Sequence, residues 1–461
     1  MNKLFSQVVG YLKLFLRCAF LLSAVLPGSA DALPSFARQT GQSCVACHAG
    51  GQFPELTPYG RLFKLTGYTI GQRTALPLSA MVIGSYTKTR NTESSAPSVD
   101  FAKDAVALFQ TASVFAGGRV TDNIGVFAQV TYDNYSQQNP DTLAWSGHTH
   151  ADNIDIRYAD RLLGPARDLI FGLSLNNNPS VADVWNTVPA WSQYVPTVFG
   201  FTGPSTAPIV AQLGQQVVGL GAYTFWNQTV YAEISSYQTA KGAFSFLKAG
   251  NQIDTRLKGS NPYVRLAISH EWGPHNVMLG VFGMNANVYP DPAFPSGPVT
   301  RYRDRGIDTQ YQYLLDPHTV TAQFSYVRES IHGGDVTGLS AGAANTLNQM
   351  KLKGSYIYRA ELGGSVSYFK TTGSSDSTAY PGLQDDGTGG MTAIPISGSA
   401  ANNPDTRGWI PELFWSPVQN VRAGVQYFKY DRYAGSARNY DGAGRNASDN
   451  NTLFVYVWGA Y

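Results

Sequence analysis

From about residue 74 to the end of the chain, apolar and polar residues alternate with a period of two, in stretches separated by turn-forming residues. Ile124, Val126, Ala128 and Val130 fall on one face of such a stretch, with Asn123, Gly125, Gln129 and Thr131 on the other. Val320, Ala322, Phe324 and Tyr326 alternate with Thr321, Gln323 and Ser325 in the same way. No amphipathic helix interrupts this texture. Because successive side chains of a strand point to opposite faces, the pattern predicts strands with one apolar and one polar side.

The connections alternate between short and long. Tight turns are expected near Thr121-Asp122-Asn123, Gly164-Pro165, Trp226-Asn227, Gly273-Pro274-His275, Asp316-Pro317, Arg359-Ala360 and Pro417-Val418-Gln419-Asn420. Longer polar stretches fall near 91–103, 135–151, 177–212, 240–260, 289–299, 333–345, 373–404 and 434–450. Together they join about sixteen strands, an even number that leaves both ends of the barrel on the short-turn side. The expected fold is therefore all-β: a transmembrane antiparallel β-barrel, with short periplasmic turns, long outer loops and outer-membrane lipid around it. The final stretch, Leu453 to Tyr461, reads as the closing strand and ends on an aromatic residue. A soluble periplasmic sandwich or propeller is the rival architecture, but no repeat of about 40 residues supports a propeller.

Parity sorts lumen from lipid. Asn153, Asp155, Arg157 and Arg161 share one face of a strand whose other face carries Ile154, Ile156 and Leu162. Glu233, Arg265, Glu271, Asp308, Lys351, Lys353 and Glu361 also fall opposite their strands' apolar positions, and a mutually paired polar interior accounts for all of them. The composition agrees: 14% of the 461 residues are charged and 13% aromatic, against roughly 25% charged in a soluble domain. The net charge of +2 gives no reason to expect a nucleic-acid partner.

Two segments precede the barrel. Residues 1–32 combine Lys3, Lys13 and Arg17 with the apolar run Cys18 to Leu26, then Pro27-Gly28 and the small-residue site Ala30-Asp31-Ala32, which reads as a secretory signal peptide. Residues 33–73 then hold the remaining cysteines, Cys44 and Cys47, in Cys44-Val45-Ala46-Cys47-His48. This is the C-x-x-C-H pattern of c-type haem attachment. Two thiols one turn apart can reach the two vinyl groups on one porphyrin edge, and the adjacent imidazole can take the iron. A thioredoxin-type pair would need a βαβ setting and zinc would need four ligands; neither accompanies the motif. Downstream, Thr57 as N-cap and Pro58 in the first turn start a short helix that Gly67 can end, with Leu62, Phe63 and Leu65 giving it an apolar side. About 40 residues is close to the size at which a domain needs a cofactor to fold.

The run Phe36-Ala37-Arg38-Gln39-Thr40-Gly41, the haem motif, Phe53-Pro54-Glu55-Leu56-Thr57-Pro58-Tyr59-Gly60-Arg61 and Phe63-Lys64-Leu65-Thr66-Gly67-Tyr68 resemble the fused monohaem cytochrome-porin family of outer-membrane electron-transfer proteins. The segments Gly172 to Pro179 and Trp185 to Trp191 look like the family's barrel, and the remainder matches in pattern alone. The resemblance implies a small haem plug in the lumen or at the periplasmic mouth of the barrel, holding one covalent haem c. It implies transfer of single electrons from an extracellular donor, Fe(II) in the best-known members, to a periplasmic soluble carrier, as in an Fe(II):cytochrome c oxidoreductase. It carries over three residues: Cys44 and Cys47 as thioether anchors and His48 as proximal iron ligand.

The sixth ligand stays open. No His or Met lies between His48 and Met81, so the candidates are Met81, Met278, Met284 or a barrel histidine. His148 and His150 are expected in an outer loop, His332 near another, His275 and His318 beside short turns, and His270 facing lipid. Arg38, Arg61 and Lys64 could neutralise haem propionates or pair with carboxylates such as Glu55. Glu93, Asp100, Asp376, Asp385 and Asp386 are outer-loop acids able to hold a ferrous ion or simply to solvate their loops. No H-E-x-x-H, P-loop or nucleophile elbow is present, which leaves the chemistry to the cofactor. Two other readings remain: a solute porin gated by a redox-sensing haem plug, and an electron conduit for a donor or acceptor other than iron.

Overall fold

A computed structural model of the chain describes residues 34–51, 53–91, 107–139, 141–142, 144–164, 167–187, 206–250, 255–333 and 344–461. The expected signal segment lies outside them. The wall is built from β1 (Leu78–Thr89), β2 (Ala107–Arg119), β3 (Ile124–Gln138), β4 (Trp145–Gly164), β5 (Arg167–Asn176), β6 (Val217–Trp226), β7 (Val230–Thr239) and β8 (Asn261–Trp272). It continues through β9 (His275–Val288), β10 (Thr300–Leu315), β11 (His318–His332), β12 (Ala344–Tyr358) and β13 (Leu362–Gly373). A small outer hairpin, β14 (Leu383–Asp385) with β15 (Met391–Ala393), precedes β16 (Thr406–Val418), β17 (Val421–Arg432) and β18 (Thr452–Ala460). All wall neighbours are antiparallel, and β1 pairs with β18 from Met81–Ala460 to Thr89–Thr452, which closes the barrel at sixteen strands.

The burial pattern is that of a soluble protein turned inside out. Along β8, Val264, Leu266 and Ile268 are exposed while Tyr263, Arg265 and Ser269 are buried. Exposed apolar residues recur on every side of the wall, for example Val82, Val114, Leu173, Ile234, Leu352 and Leu413. An apolar exterior over a polar interior is stable only in lipid, and closure satisfies each strand's backbone groups there. Trp226, Trp272, Tyr358 and Trp415 are exposed next to short turns, as an interfacial aromatic girdle requires. The chain is thus a porin-like outer-membrane β-barrel.

Three expectations about the wall need correction. The stretch 135–151 is mostly strand, since β3 runs to Gln138 and β4 starts at Trp145. Both faces turn polar where these strands rise above the lipid, so alternation disappears from the sequence although pairing continues, with Thr131 opposite His150. The described parts of the stretch 177–212 do not project outward. They fold into the lumen, where the one-turn helices α4 (Pro179–Ala182) and α5 (Ile209–Gln212) lie, and Trp185 packs edge-on against Tyr231 at 5.3 Å. The N–H groups of Ile209 and Val210 donate to Glu329 at 2.7 Å and Asp304 at 2.9 Å. Finally, Glu361 and Glu271 are exposed at the short-turn rim, and Arg161 pairs with Asp168 near that rim at 2.7 Å rather than deep inside. Asp155, Arg157, Glu233, Arg265, Asp308, Lys351 and Lys353 are buried as parity predicts.

Residues 34–72 occupy the short-turn end of the lumen as α1 (Pro34–Thr40), α2 (Cys44–Cys47) and α3 (Pro58–Leu65) with their connections. Thr57 caps α3 by accepting from the Gly60 N–H at 3.1 Å, and Gly67, at φ +71°, follows its end as the sequence predicts. Polar contacts fix this plug to the wall all round. Tyr68 donates to Asp155 at 2.6 Å, Tyr223 donates to the Leu65 carbonyl at 2.8 Å, and Arg61 donates to Asn276, Gln310 and Gln312. Lys353 and Glu55 meet at 2.6 Å, both nearly inaccessible to water. The end is identified by Cys44, whose N–H donates to Gln419 in the β16–β17 turn, and by the pairing of Ala80 with Tyr461. In outer-membrane barrels the short-turn end is periplasmic.

Removing one partner of a buried ion pair strands the other charge, at a cost of about 3–5 kcal/mol. Lys353→Met should therefore loosen the plug, seen as faster proteolysis of residues 34–72 and higher ion conductance in planar bilayers. Adding Glu55→Leu should restore most of the protection, because no unpaired charge then remains.

Candidate haem site

The motif forms one tight turn. The His48 N–H bonds the Cys44 carbonyl at 2.8 Å, which turns both cysteines and the imidazole toward one region of the lumen. The chain then doubles back, with Ala49 N–H on the Glu55 carbonyl and Thr57 N–H on the Cys47 carbonyl, both at 2.9 Å. Thr57 joins the two helices, since its hydroxyl donates to the Ala46 carbonyl at 2.5 Å while capping α3. The approach is so close that a Cβ on Gly60 would lie 2.2 Å from the Cys47 oxygen. Phe53 packs against His48 with ring centroids 4.0 Å apart and planes inclined at 45°.

Cys44, Cys47 and His48 all line a cavity of about 600 Å³ between plug and wall, within the roughly 300–1,000 Å³ range of cofactor pockets. Its inner part is apolar, with Phe53 and Phe63 from the plug and Met81, Phe115, Phe127 and Trp458 from the wall. Toward the long loops the lining becomes polar, with Thr131, Asp133, His150 and Asp152. An apolar pocket with one polar end suits a porphyrin, whose propionates require the polar side. The cysteines are not joined in a disulfide. Burial pushes His48 down to about 3, so the imidazole is neutral and its lone pair is available to a metal. Burial likewise pushes the Cys47 thiol up to about 11. His48 Nδ1 is buried and has no hydrogen-bond partner among the described residues. The residues present thus fit a covalent haem.

The structure separates the other candidates. Met81 lines the cavity, whereas Met278 and Met284 are buried in clusters elsewhere, Met278 with its sulfur 3.9 Å from Arg265. His150 is a correction to the expected loop position: it is buried in the lumen, lines the cavity and lies 3.7 Å from Asp133. His148 contacts the Ala249 carbonyl, while His270 stacks on Trp272 on the exposed face and His275 and His318 bond Tyr311 and Tyr356 near the short turns. His332 ends β11 opposite Ala344. Arg38 donates to the Leu76 and Leu78 carbonyls and Arg61 is consumed by lumen amides, so Lys64 alone of the three cations lines the cavity. None of the three contacts Glu55, whose partner is Lys353.

The loop acids do not gather. Asp376 accepts from Asn345 and from the N–H groups of Thr378 and Ala379, while Asp385 and Asp386 cap the turn between β14 and β15. Glu93 and Asp100 lie outside the described residues. Among the described residues no group of three His, Cys, Asp or Glu side chains is placed to hold a metal ion.

No family profile matches the chain, and no curated protein matches it. Solved porins are similar in outline. Salmonella typhi OmpF, solved in complex with daunomycin, covers 83% of this chain and 97% of its own at 12% identity and a TM-score of 0.43. The outer membrane channel DcaP of Acinetobacter baumannii covers 83% and 96% at 13% identity and a TM-score of 0.44. OmpT of Vibrio cholerae, in its trimer form, covers 83% and 98% at 8% identity and a TM-score of 0.42.

Two predictions follow from this packing. Gly60→Val, which drives a side chain into the Cys47 carbonyl, should cost about 1–3 kcal/mol or more and lower the haem bound per barrel, measured by pyridine haemochrome. Lys64 is pushed down to about 8, by burial first and by Arg157 second, against an ordinary value of 10.5. A lysine whose folded value is depressed opposes folding while charged, so plug docking should strengthen as pH rises from 8 to 10.5. Denaturant titration of the Cys44→Ala/Cys47→Ala barrel, monitored by plug proteolysis, should show that slope, and adding Lys64→Met should remove it.

Proposed function

We propose that the protein is a fused monohaem cytochrome-porin that passes single electrons between an extracellular donor and a periplasmic soluble carrier. The observation that carries this reading is the C-x-x-C-H turn, whose thiols and imidazole share one lumenal cavity at the short-turn end of a closed barrel. When bound, haem supplies a one-electron couple at its iron. Cys44 and Cys47 anchor it, and His48 presents a neutral imidazole. Phe53, Phe63, Phe115 and Phe127 give the inner part of the pocket an apolar lining, and such surroundings raise the electrostatic weight of every group inside them. Lys64 is the plug cation that lines the cavity, its ammonium donating to the Val181 carbonyl and lying 3.9 Å from Asp155.

The path to the outside supports the same reading. A single cluster of buried side chains runs from Tyr433 and Tyr440, in the long β17–β18 connection, through Tyr430, Phe369, Phe428 and Phe454 to Trp458, Phe53 and Cys44. Tyr440 and Tyr433 have ring centroids 4.8 Å apart, and Trp458 and Phe53 5.4 Å. Tunnelling decays steeply with the width of any gap, so dense packing between the outer loops and the haem pocket favours electron passage. The resemblance supplies Fe(II) as the donor, and a haem held by Cys44, Cys47 and His48 would supply the acceptor for its one electron.

The test is stopped-flow absorbance of the detergent-purified, oxidised protein mixed with Fe(II), following the reduced α-band. Rapid reduction, abolished by chelating the Fe(II) and by His48→Ala, is the expected result. Reduction by dithionite but not by Fe(II) would overturn the iron assignment and leave a conduit for another donor. Absence of covalent haem would overturn the cytochrome reading, and solute conductance without redox turnover would favour a gated porin.

A further inference from the structure

The geometry points to Met81 as the sixth ligand of the haem iron, held in place by Trp458 across the seam where the barrel closes. This inference rests on the haem reading above. Met81 lies in the first wall strand and faces the lumen together with Ser79 and Ile83. It lines the same cavity as His48, and it packs against the cluster that contains Cys44 and Phe53. Met278 and Met284 do neither.

The contact with Trp458 is specific. The indole N–H donates to the Met81 sulfur at 3.4 Å. Trp458 stands opposite Ile83 and Met81 opposite Ala460, so the pair is a diagonal neighbour contact between β1 and β18 on the lumen face. A thioether sulfur has two lone pairs, and the indole occupies one. Phe53 links the same indole to the proximal ligand, its ring tilted against Trp458 at 5.4 Å and against His48 at 4.0 Å between centroids.

His150 is the competing ligand, since it also lines the cavity. It lies at the polar end, opposite Thr131 and 3.7 Å from Asp133, away from the apolar cluster that holds Cys44. A carboxylate neighbour and a polar setting suit a group facing the aqueous lumen. The thioether is an uncharged, soft donor and is the ligand that raises the potential of c-type haems.

Met81 and Trp458 come from the first and last strands, so ligation is completed only when those strands pair. His48 and both cysteines, by contrast, are complete within five consecutive residues.

The test uses the full-length, detergent-purified protein in its oxidised form. Wild type should be low-spin and show the near-infrared sulfur-to-iron charge-transfer band. Met81→Leu should lose that band, become high-spin, bind added imidazole and show a lower midpoint potential. Met81→His should exchange the band for a bis-imidazole spectrum, and Met278→Leu and Met284→Leu should leave it in place. Heat-modifiable migration on gels and an unchanged pyridine haemochrome yield show that each variant is folded and loaded. The assignment is overturned if loaded wild type lacks the band, if Met81→Leu keeps it, or if His150→Ala removes it. If wild type carries no covalent haem, the assignment falls together with the cytochrome reading; if haem is present and the band ignores Met81, it falls alone.

Discussion

Every other feature depends on the pairing of β1 with β18. An apolar exterior commits the strands to lipid, where an unpaired backbone N–H or carbonyl has no water to turn to and costs several kcal/mol. Sixteen strands meet that demand only as a ring. A ring of that size is too wide for its own side chains to fill, so its interior must hold water or further chain. Here residues 34–72 take the short-turn end, and the described parts of 177–216 take the side beneath β10 and β11.

Filling a polar lumen with protein buries charge, and this dictates how the plug sits. Arg157 bonds Asp155 at 2.9 Å, Arg265 reaches Asp308 at 2.7 Å and Asp183 at 3.4 Å, and these groups are almost completely enclosed. Such pairs add little net stability, because desolvation offsets most of their attraction. Their effect is on alternatives: a plug rotated or withdrawn leaves Asp155, Glu55 or Lys353 without a partner. Apolar contacts hold the segment in the lumen, while the ion pairs fix the orientation in which His48, Cys44 and Cys47 face one cavity.

Much of this arrangement was legible in the sequence. Alternation set the inward and outward faces of β3, β8 and β11, turn residues located the short connections, and Thr57, Pro58 and Gly67 marked both ends of α3. Alternation reports a boundary between lipid and water, however, and fails where neither face meets lipid. That is why His148 and His150 read as loop although they lie in β4. The inward course of the described parts of 177–216 was hidden for a related reason. Trp185, Ile209, Val210 and Leu213 are apolar residues in a polar stretch, a signal of burial that does not say against what. Pairings such as Glu55 with Lys353, 298 positions apart, have no local signature. Nor does the contact between Met81 and Trp458, because it exists only after closure.

The plug and the barrel are consecutive along the chain but not separate in their packing. Cys44 and Phe53 share a buried cluster with Ile83, Phe428, Phe454 and Trp458 of the wall, and Leu65 shares another with Ile170, Tyr223 and Tyr231. A segment of about 40 residues could not assemble a core of this size alone, and here it borrows one from the strands around it. The sharing runs both ways, since Phe454 and Trp458 would otherwise present aromatic rings to a water-filled lumen. Plug and wall therefore lower each other's free energy over the same surface, and the cavity between them is shaped by both. A substitution in either is felt at the cavity between them, which makes the site a property of the closed barrel rather than of the motif that marks it.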